Sequence, residues 1–144
     1  MNQEVRRIMS MNPTTVTPDM TTEKVTGIMI KNKIQQIPVV SNGKLVGLVT
    51  AYDLWKEIDG AGNQPRRIRD VMTTNVLTLR PKDKLGTAAE LFADKRFKTL
   101  PVVNLHNELK GVVTAFDVIR QAFLHEHPRP ILYRDEFLKR SQVR

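Results

Sequence analysis

The amino-acid sequence predicts an α/β (α+β) fold made of two tandem β-α-β-β-α units packed with pseudo-twofold symmetry. Two observations carry this expectation. The first is an internal repeat, in which residues 9–53 read again as residues 72–117. An offset of 63 carries Met9 to Met72, Asn12 to Asn75, Thr15 to Thr78, Pro18 to Pro81 and Pro38-Val39-Val40 to Pro101-Val102-Val103. One extra residue in a turn raises the offset to 64, after which Gly47, Val49, Thr50, Ala51 and Asp53 match Gly111, Val113, Thr114, Ala115 and Asp117. The second observation is the order of local signals, short β-branched or apolar segments alternating with helical faces, which is the same in both copies. A repeat of this length is one supersecondary unit used twice. Two copies are too few for a solenoid. They are expected to face each other, close one small core and leave paired clefts between them.

Each unit begins with a short strand, Thr14-Thr15-Val16-Thr17 or Val76-Leu77-Thr78-Leu79, closed by Pro18 or Pro81. A helix follows. Leu85, Ala88, Ala89 and Phe92 fall at i, i+3, i+4 and i+7 in the second copy, and Val25, Ile28 and Met29 follow the same spacing in the first. Ile37-Pro38-Val39-Val40 and Leu100-Pro101-Val102-Val103 are expected as buried strands, with proline placed at the strand start. Ser41-Asn42-Gly43-Lys44 carries an Asn-Gly hairpin signal. Its counterpart, Asn104-Leu105-His106-Asn107-Glu108, holds the inserted residue. Return strands around Gly47 and Gly111 lead into helices opening at Tyr52 and Phe116. Residues 59–65, rich in Gly, Asn and Pro, form the linker. The first unit is placed at 1–60, the second at 61–124 and a basic tail at 125–144. In that tail His125-Glu126-His127-Pro128-Arg129-Pro130 is expected to be extended, and residues 132–140 to form a short amphipathic helix.

Composition bounds the function classes. A chain of 144 residues suits one compact domain, and its low aromatic fraction, 6%, leaves the core to Val, Ile, Leu, Met and Ala. With no cysteine, disulfides, thiolate metal sites and cysteine nucleophiles are excluded, which fits a reducing cytoplasm. No apolar run approaches the roughly 18 residues of a membrane span, and the N-terminus lacks the apolar stretch of a secretory signal. The protein is expected to be soluble and cytoplasmic, with no membrane partner. A net charge of +8 favours anionic partners, namely nucleotide phosphates, nucleic acid or an acidic protein surface. Scattered basic residues also serve simply as a solvated surface.

The openers Ile8-Met9-Ser10 and Val71-Met72-Thr73, the apolar-Pro-Val-Val strands and the Gly-x-x-Thr-x-x-Asp motifs at Gly47 and Gly111 together resemble the cystathionine β-synthase (CBS) domain. The resemblance covers roughly residues 1–123. It implies a CBS pair, or Bateman module, standing alone and binding an adenosyl ligand such as AMP, ADP, ATP or S-adenosylmethionine between the copies. In such pairs the opener and pre-proline stretch of one copy meet Thr-x-x-Asp of the other. One cleft would then combine Ser10, Pro13, Thr14, Thr15, Ile34 and Gln35 with Thr114, Phe116 and Asp117. The other would combine Thr73, Val76, Leu77, Thr78, Phe97 and Lys98 with Thr50, Tyr52 and Asp53. The resemblance also points to a homodimer, with Met20, Ile30, Leu54 and Trp55 as candidates for its apolar face. The regulated protein partner is not named by the sequence.

The residue chemistry suits a nucleotide. Thr-x-x-Asp places both side chains on the first turn of a helix, beside unpaired N–H groups and the positive dipole end. An ionised Asp offers two acceptor oxygens to the two hydroxyls of a ribose, the logic used by dinucleotide-binding folds, and helix N-termini receive phosphate oxygens. The same spacing is also a capping box, with Thr as N-cap and Asp at N3; capping and ligand contact are compatible. The clefts are not equivalent, because Lys98 corresponds to neutral Gln35. The Lys98 cleft is therefore expected to fill first. His125-Glu126-His127 lacks a third metal ligand, and no P-loop, nucleophile elbow or His-Glu-x-x-His motif is present, so no metal, catalytic cofactor or enzyme activity is expected. Two alternatives stand beside the nucleotide-sensing regulatory module. One is a nucleic-acid-binding module using the basic surface, for which the 8 Phe, Trp and Tyr residues provide few stacking platforms. The other is a structural dimerisation module with degenerate clefts.

Overall fold

The computed structural model describes residues 2–60 and 66–126. The first unit runs from a single 3-10 turn, Val5–Arg7, through α1 (Thr22–Asn32), β1 (Gln36–Ser41) and β2 (Lys44–Thr50) to α2 (Ala51–Asp59). The second runs from a one-turn helix, α3 (Ile68–Val71), through α4 (Leu85–Leu91), β3 (Thr99–Val103) and β4 (Leu109–Thr114) to α5 (Ala115–Glu126). β1 pairs antiparallel with β2, and β3 with β4. Asn42 and Gly43 take φ values of 55° and 78°, the paired left-handed conformations that a two-residue hairpin turn requires. In the longer second turn Asn107 supplies the left-handed residue, φ 61°. The two turns also meet: Leu45 N–H donates to the Asn107 carbonyl at 3.0 Å and Leu109 N–H to that of Gly43 at 3.2 Å.

The expected opening strands shrink to one bridging residue each. Val16 bridges Val39 and Leu79 bridges Val102, both in parallel. Proline sets this limit. Pro38 and Pro101 stand third in their strands rather than first. Their carbonyls accept from Val16 N–H at 3.1 Å and Leu79 N–H at 2.9 Å. The N–H that proline lacks would point to this same edge, where so short a partner segment leaves it unneeded.

The helices follow local chemistry. Thr21 caps α1 by accepting from Lys24 N–H, and Lys33 ends it in the left-handed conformation. Val25 and Met29 face the core. In α4 Leu85 and Ala88 are buried, whereas Ala89 is exposed and Phe92 is the half-buried C-cap, so the buried face is narrower than the spacing suggests. His125 and Glu126 complete the last turn of α5 instead of extending away from it. The remainder of the tail, with the helix expected at 132–140, and linker residues 61–65 lie outside the described residues.

The two one-turn helices were not foreseen, and they lock the units together. Val5 is fully buried in the core of the second unit, with Leu79, Leu85, Ala88, Phe97 and Leu100. Ile68 is fully buried in the core of the first, with Val16, Val25, Ile37 and Leu54. The backbone repeats this exchange. Val5 N–H donates to Asp83 O (2.7 Å) and Ile68 N–H to the matching Met20 O (2.9 Å). Arg6 N–H donates to Pro81 O and Arg69 N–H to Pro18 O. The basic run joins in: Arg66 pairs with Glu57 at 3.3 Å, Arg69 pairs with Asp19, and Arg67 Nη1 donates to the Asp19 carbonyl. Each unit thus completes its partner's core. None of the described helices is long and apolar enough to cross a membrane.

Candidate functional site

The same exchange carries each opener onto the other unit's hairpin. Ser10 and Val112 exchange two backbone hydrogen bonds at 2.9 and 3.0 Å, and Thr73 and Leu48 exchange two at 2.8 Å. The motif glycines make this approach possible. A Cβ at Gly111 would stand 2.7 Å from the Ser10 carbonyl oxygen, and one at Gly47 3.0 Å from that of Thr73. Each return strand then delivers its Thr-x-x-Asp beside the opener of the other copy.

Both motifs form complete capping boxes. Thr50 Oγ1 accepts from Asp53 N–H at 3.0 Å, and Asp53 Oδ2 accepts from Thr50 N–H at 2.9 Å. The second box matches it, with Asp117 N–H donating to Thr114 Oγ1 at 3.1 Å and Thr114 N–H to Asp117 Oδ2 at 2.8 Å. Burial is nearly complete, with Asp53 6% and Asp117 8% exposed. Capping uses one carboxylate oxygen and leaves the other for a different partner. The Thr73 hydroxyl reaches Asp53 Oδ2 at 3.3 Å, which ties the two units together at this point.

A cleft of about 430 Å³ opens here, within the range of small-molecule sites. Thr50, Ala51, Tyr52 and Asp53 line it from the first unit and Lys95, Arg96, Phe97 and Lys98 from the second, together with Thr73, Gln35 and Gln36. Of the residues expected in this cleft, Thr50, Tyr52, Asp53, Thr73, Phe97 and Lys98 are present; Val76, Leu77 and Thr78 do not line it. Val76 and Leu77 pack instead against the second unit's core. The Phe97 side chain also belongs to that core, at 3% exposure. Gln35 was expected in the opposite cleft. It lines this one as well, because Gln36 pairs with Thr50 at the end of the hairpin, which sets the Gln35 carbonyl 2.8 Å from Ala51 N. At the second motif, Ser10 is held beside β4 and the Thr114 box, and Phe116 is exposed. Pro13, Thr14 and Thr15 make no hydrogen bond to Thr114, Phe116 or Asp117 among the described residues, and Ile34 packs against the first unit's core.

Around the Lys98 cleft, Lys95 and Gln36 escaped sequence reasoning, while Arg96 is legible as a basic residue matching Lys33 five positions before the proline. Lys95 and Arg96 add cations to its wall. Arg96 is already engaged, forking onto Asp94 at 2.7 and 3.0 Å and lying 5.2 Å from the Phe97 ring centroid. That hydrogen bonding holds the Asp94 carboxyl below the usual carboxylate range. Lys95 and Lys98 form no ion pair among the described residues, so they are the cations open to an anion. Gln36 fixes the wall itself. Its Nε2 donates to Arg96 O at 2.7 Å, and its Oε1 accepts from Lys98 N–H at 2.8 Å and Thr99 N–H at 3.0 Å. The equivalent residue in the other copy is Thr99, so the repeat gives no sign of this contact.

The CBS domain family model matches residues 5–58 and 68–123. The chain belongs to the CBS domain family and is a tandem CBS pair. Its fold resembles the crystal structure of CBSX2 in complex with AMP, with 27% identity and a TM-score of 0.75 over 85% of this chain and 98% of that one. It likewise resembles the CBS domain pair of MJ0100 in complex with 5′-methylthioadenosine and S-adenosyl-L-methionine, at 29% identity and a TM-score of 0.73 over 84% and 96%. Among curated relatives, an inosine-5′-monophosphate dehydrogenase of Korarchaeum cryptofilum is 33% identical over 85% of this chain but only 24% of its own length. A homoserine O-acetyltransferase of Methanohalobium evestigatum is 32% identical over 81% of this chain and 23% of its own length. The chain thus spans about a quarter of these two relatives.

Proposed function

We propose that the protein is a regulatory module that senses an adenosyl nucleotide, AMP, ADP, ATP or S-adenosylmethionine, in the clefts between its two CBS units. The observation that carries this reading is the 430 Å³ cleft whose lining includes a capped, buried Asp53 together with the cations Lys95 and Lys98. Asp53 Oδ1 is left for a ribose hydroxyl, and a phosphate on the same nucleoside meets the lysines. The AMP bound by CBSX2 and the adenosyl ligands bound by the MJ0100 pair support the ligand class. The module regulates a protein partner rather than catalysing a reaction.

Calorimetry and thermal denaturation with AMP, ATP and S-adenosylmethionine test this. Binding is expected in the micromolar to low-millimolar range, at no more than two sites per chain, with the Asp53 cleft filling first. A ligand at 100 Kd should stabilise the fold by about 2.7 kcal/mol. Asp53→Asn keeps an acceptor for Thr50 N–H, so stability should change by less than about 1 kcal/mol. Affinity should nevertheless fall several-fold with loss of the charged acceptor. No heat and no shift at millimolar ligand would remove the reading.

The module is further proposed to work as a homodimer. Trp55 on α2 and Ile119 on α5 occupy equivalent positions and are 57% and 63% exposed; Ile58 and Phe116 are exposed on the same helices. Ile30 is exposed as expected, but Leu54 belongs to the core and Met20 is half-buried. Two matching apolar helix faces mark an interface, and a twofold dimer is the commonest way to cover one. Light scattering should give twice the 16.5 kDa chain mass, and Trp55→Glu should halve it. A parent protein that stays at the chain mass across micromolar concentrations rules the dimer out.

A further inference from the structure

The two Thr-x-x-Asp motifs differ at the residue three positions beyond each carboxylate, Lys56 after Asp53 and Arg120 after Asp117. Each base lies over the aromatic residue just before its carboxylate, Lys56 Nζ 5.1 Å from the Tyr52 ring centroid and the Arg120 guanidinium carbon 5.6 Å from that of Phe116. Ring, carboxylate and base therefore form the same small cluster on the first turns of α2 and α5. What differs is the free carboxylate oxygen. Arg120 Nη2 donates to Asp117 Oδ1 at 3.0 Å, while Oδ2 is already taken by Thr114 N–H. Both oxygens of Asp117 are thereby used. In the other cluster, Thr50 N–H and the Thr73 hydroxyl both go to Asp53 Oδ2. Lys56 Nζ stands 3.9 Å from Oδ1, beyond hydrogen-bond distance.

We propose that Arg120 is a latch on the Asp117 cleft, a specificity-determining residue that must leave Asp117 Oδ1 before a ligand hydroxyl can occupy it, whereas the Asp53 cleft is unlatched. This rests on the nucleotide reading above. The latch is geometric as well as electrostatic. A planar guanidinium presents donors in a fixed fork and forms a directed bond to a carboxylate, while an ammonium on a flexible stem acts as a hydrated point charge. The side chain of Arg120 is about half exposed, so it can swing into solvent without dismantling the helix. A ribose entering the Asp53 cleft displaces no such bond. The order of filling is therefore written in the identity of residues 56 and 120, separately from the phosphate attraction of Lys95 and Lys98.

An uncharged ligand isolates this effect, since adenosine carries no phosphate for those lysines. Titration calorimetry with adenosine, repeated with AMP, compares the parent with Arg120→Lys and Lys56→Arg, and Asp117→Asn and Asp53→Asn assign each heat to its cleft. In the parent the Asp117 cleft should bind adenosine three- to tenfold more weakly than the Asp53 cleft. Arg120→Lys should tighten the Asp117 cleft by a similar factor, and Lys56→Arg should weaken the Asp53 cleft. A salt titration gives a readout that a helix-stabilising role alone would not move. Adenosine affinity at the Asp117 cleft of the parent should rise with ionic strength as the ion pair is screened, and Arg120→Lys should flatten that dependence. If the parent binds adenosine or AMP but both base substitutions leave the affinities within twofold, the latch is overturned and the nucleotide reading stands. If the parent binds neither, both are overturned.

Discussion

Replacing Phe97 with alanine should lower folding stability by about 3–5 kcal/mol, the usual cost of deleting a buried aromatic side chain. The ring is 3% exposed and belongs to the cluster containing Val5, Leu79, Leu85, Leu100 and Val118. That cluster joins three strands, two helices and the turn donated from the far end of the chain, so no single element can relax into the vacated space. Phe97 also stands between Arg96 and Lys98, whose backbone Gln36 fixes. The cavity should therefore loosen the cleft wall, and nucleotide affinity should fall together with stability. Urea denaturation measures the first effect as a lower midpoint at unchanged slope. Phe97→Leu should lose much less, because it keeps most of the apolar volume. A loss below about 1 kcal/mol for Phe97→Ala would contradict the core placement of the ring.

The second large effect is expected at Gly111, where alanine should cost about 1–3 kcal/mol by overpacking. Its Cβ would meet Ser10 O at 2.7 Å and Met9 Sδ at 2.9 Å. The carbonyl cannot retreat without straining the paired hydrogen bonds between Ser10 and Val112. Gly47 is more forgiving. Its nearest neighbour is Met72 Sδ at 2.8 Å, the flexible end of a side chain, although Thr73 O follows at 3.0 Å. Thermal denaturation should rank the parent above Gly47→Ala, and Gly47→Ala above Gly111→Ala. Equal stability of all three would mean that the openers do not press on the hairpins. The motif begins with glycine because another segment of backbone crosses it.

How much of this was legible depended on whether a signal was local and repeated. The Asn42-Gly43 turn and the two capping boxes were readable because a few adjacent residues specify them. The hairpin slip was readable because the copies could be aligned on either side of it, and Asn107 supplies the left-handed turn residue there. The one-turn helices at Val5 and Ile68 were missed because a single turn is too short to show a helical period. The opening strands were over-read, since β-branched residues before a proline look the same whether one residue pairs or four. Gln35 lines the Asp53 cleft, a contact the resemblance does not describe, because hairpin register brings the pre-strand residue to its own helix. Gln36 reaches across the cleft and Arg120 reaches back along its own helix, and the copies differ at both positions. The repeat draws attention away from such residues.

The reciprocal burial of Val5 and Ile68 gives the duplication a history in physical terms. A single copy has a core that its own leading turn does not fill, and a turn that fills the core of another copy. Such a unit is whole only in company, as an exchanged pair of identical chains. Joining two of them end to end converts that bimolecular encounter into an intramolecular one, at an effective concentration on the order of millimolar when the connection is short. Once the pair is covalent, its halves no longer need to be identical, and each can change while the other preserves the mutual fit. Lys56 against Arg120, and Gln36 against Thr99, are the marks of that freedom.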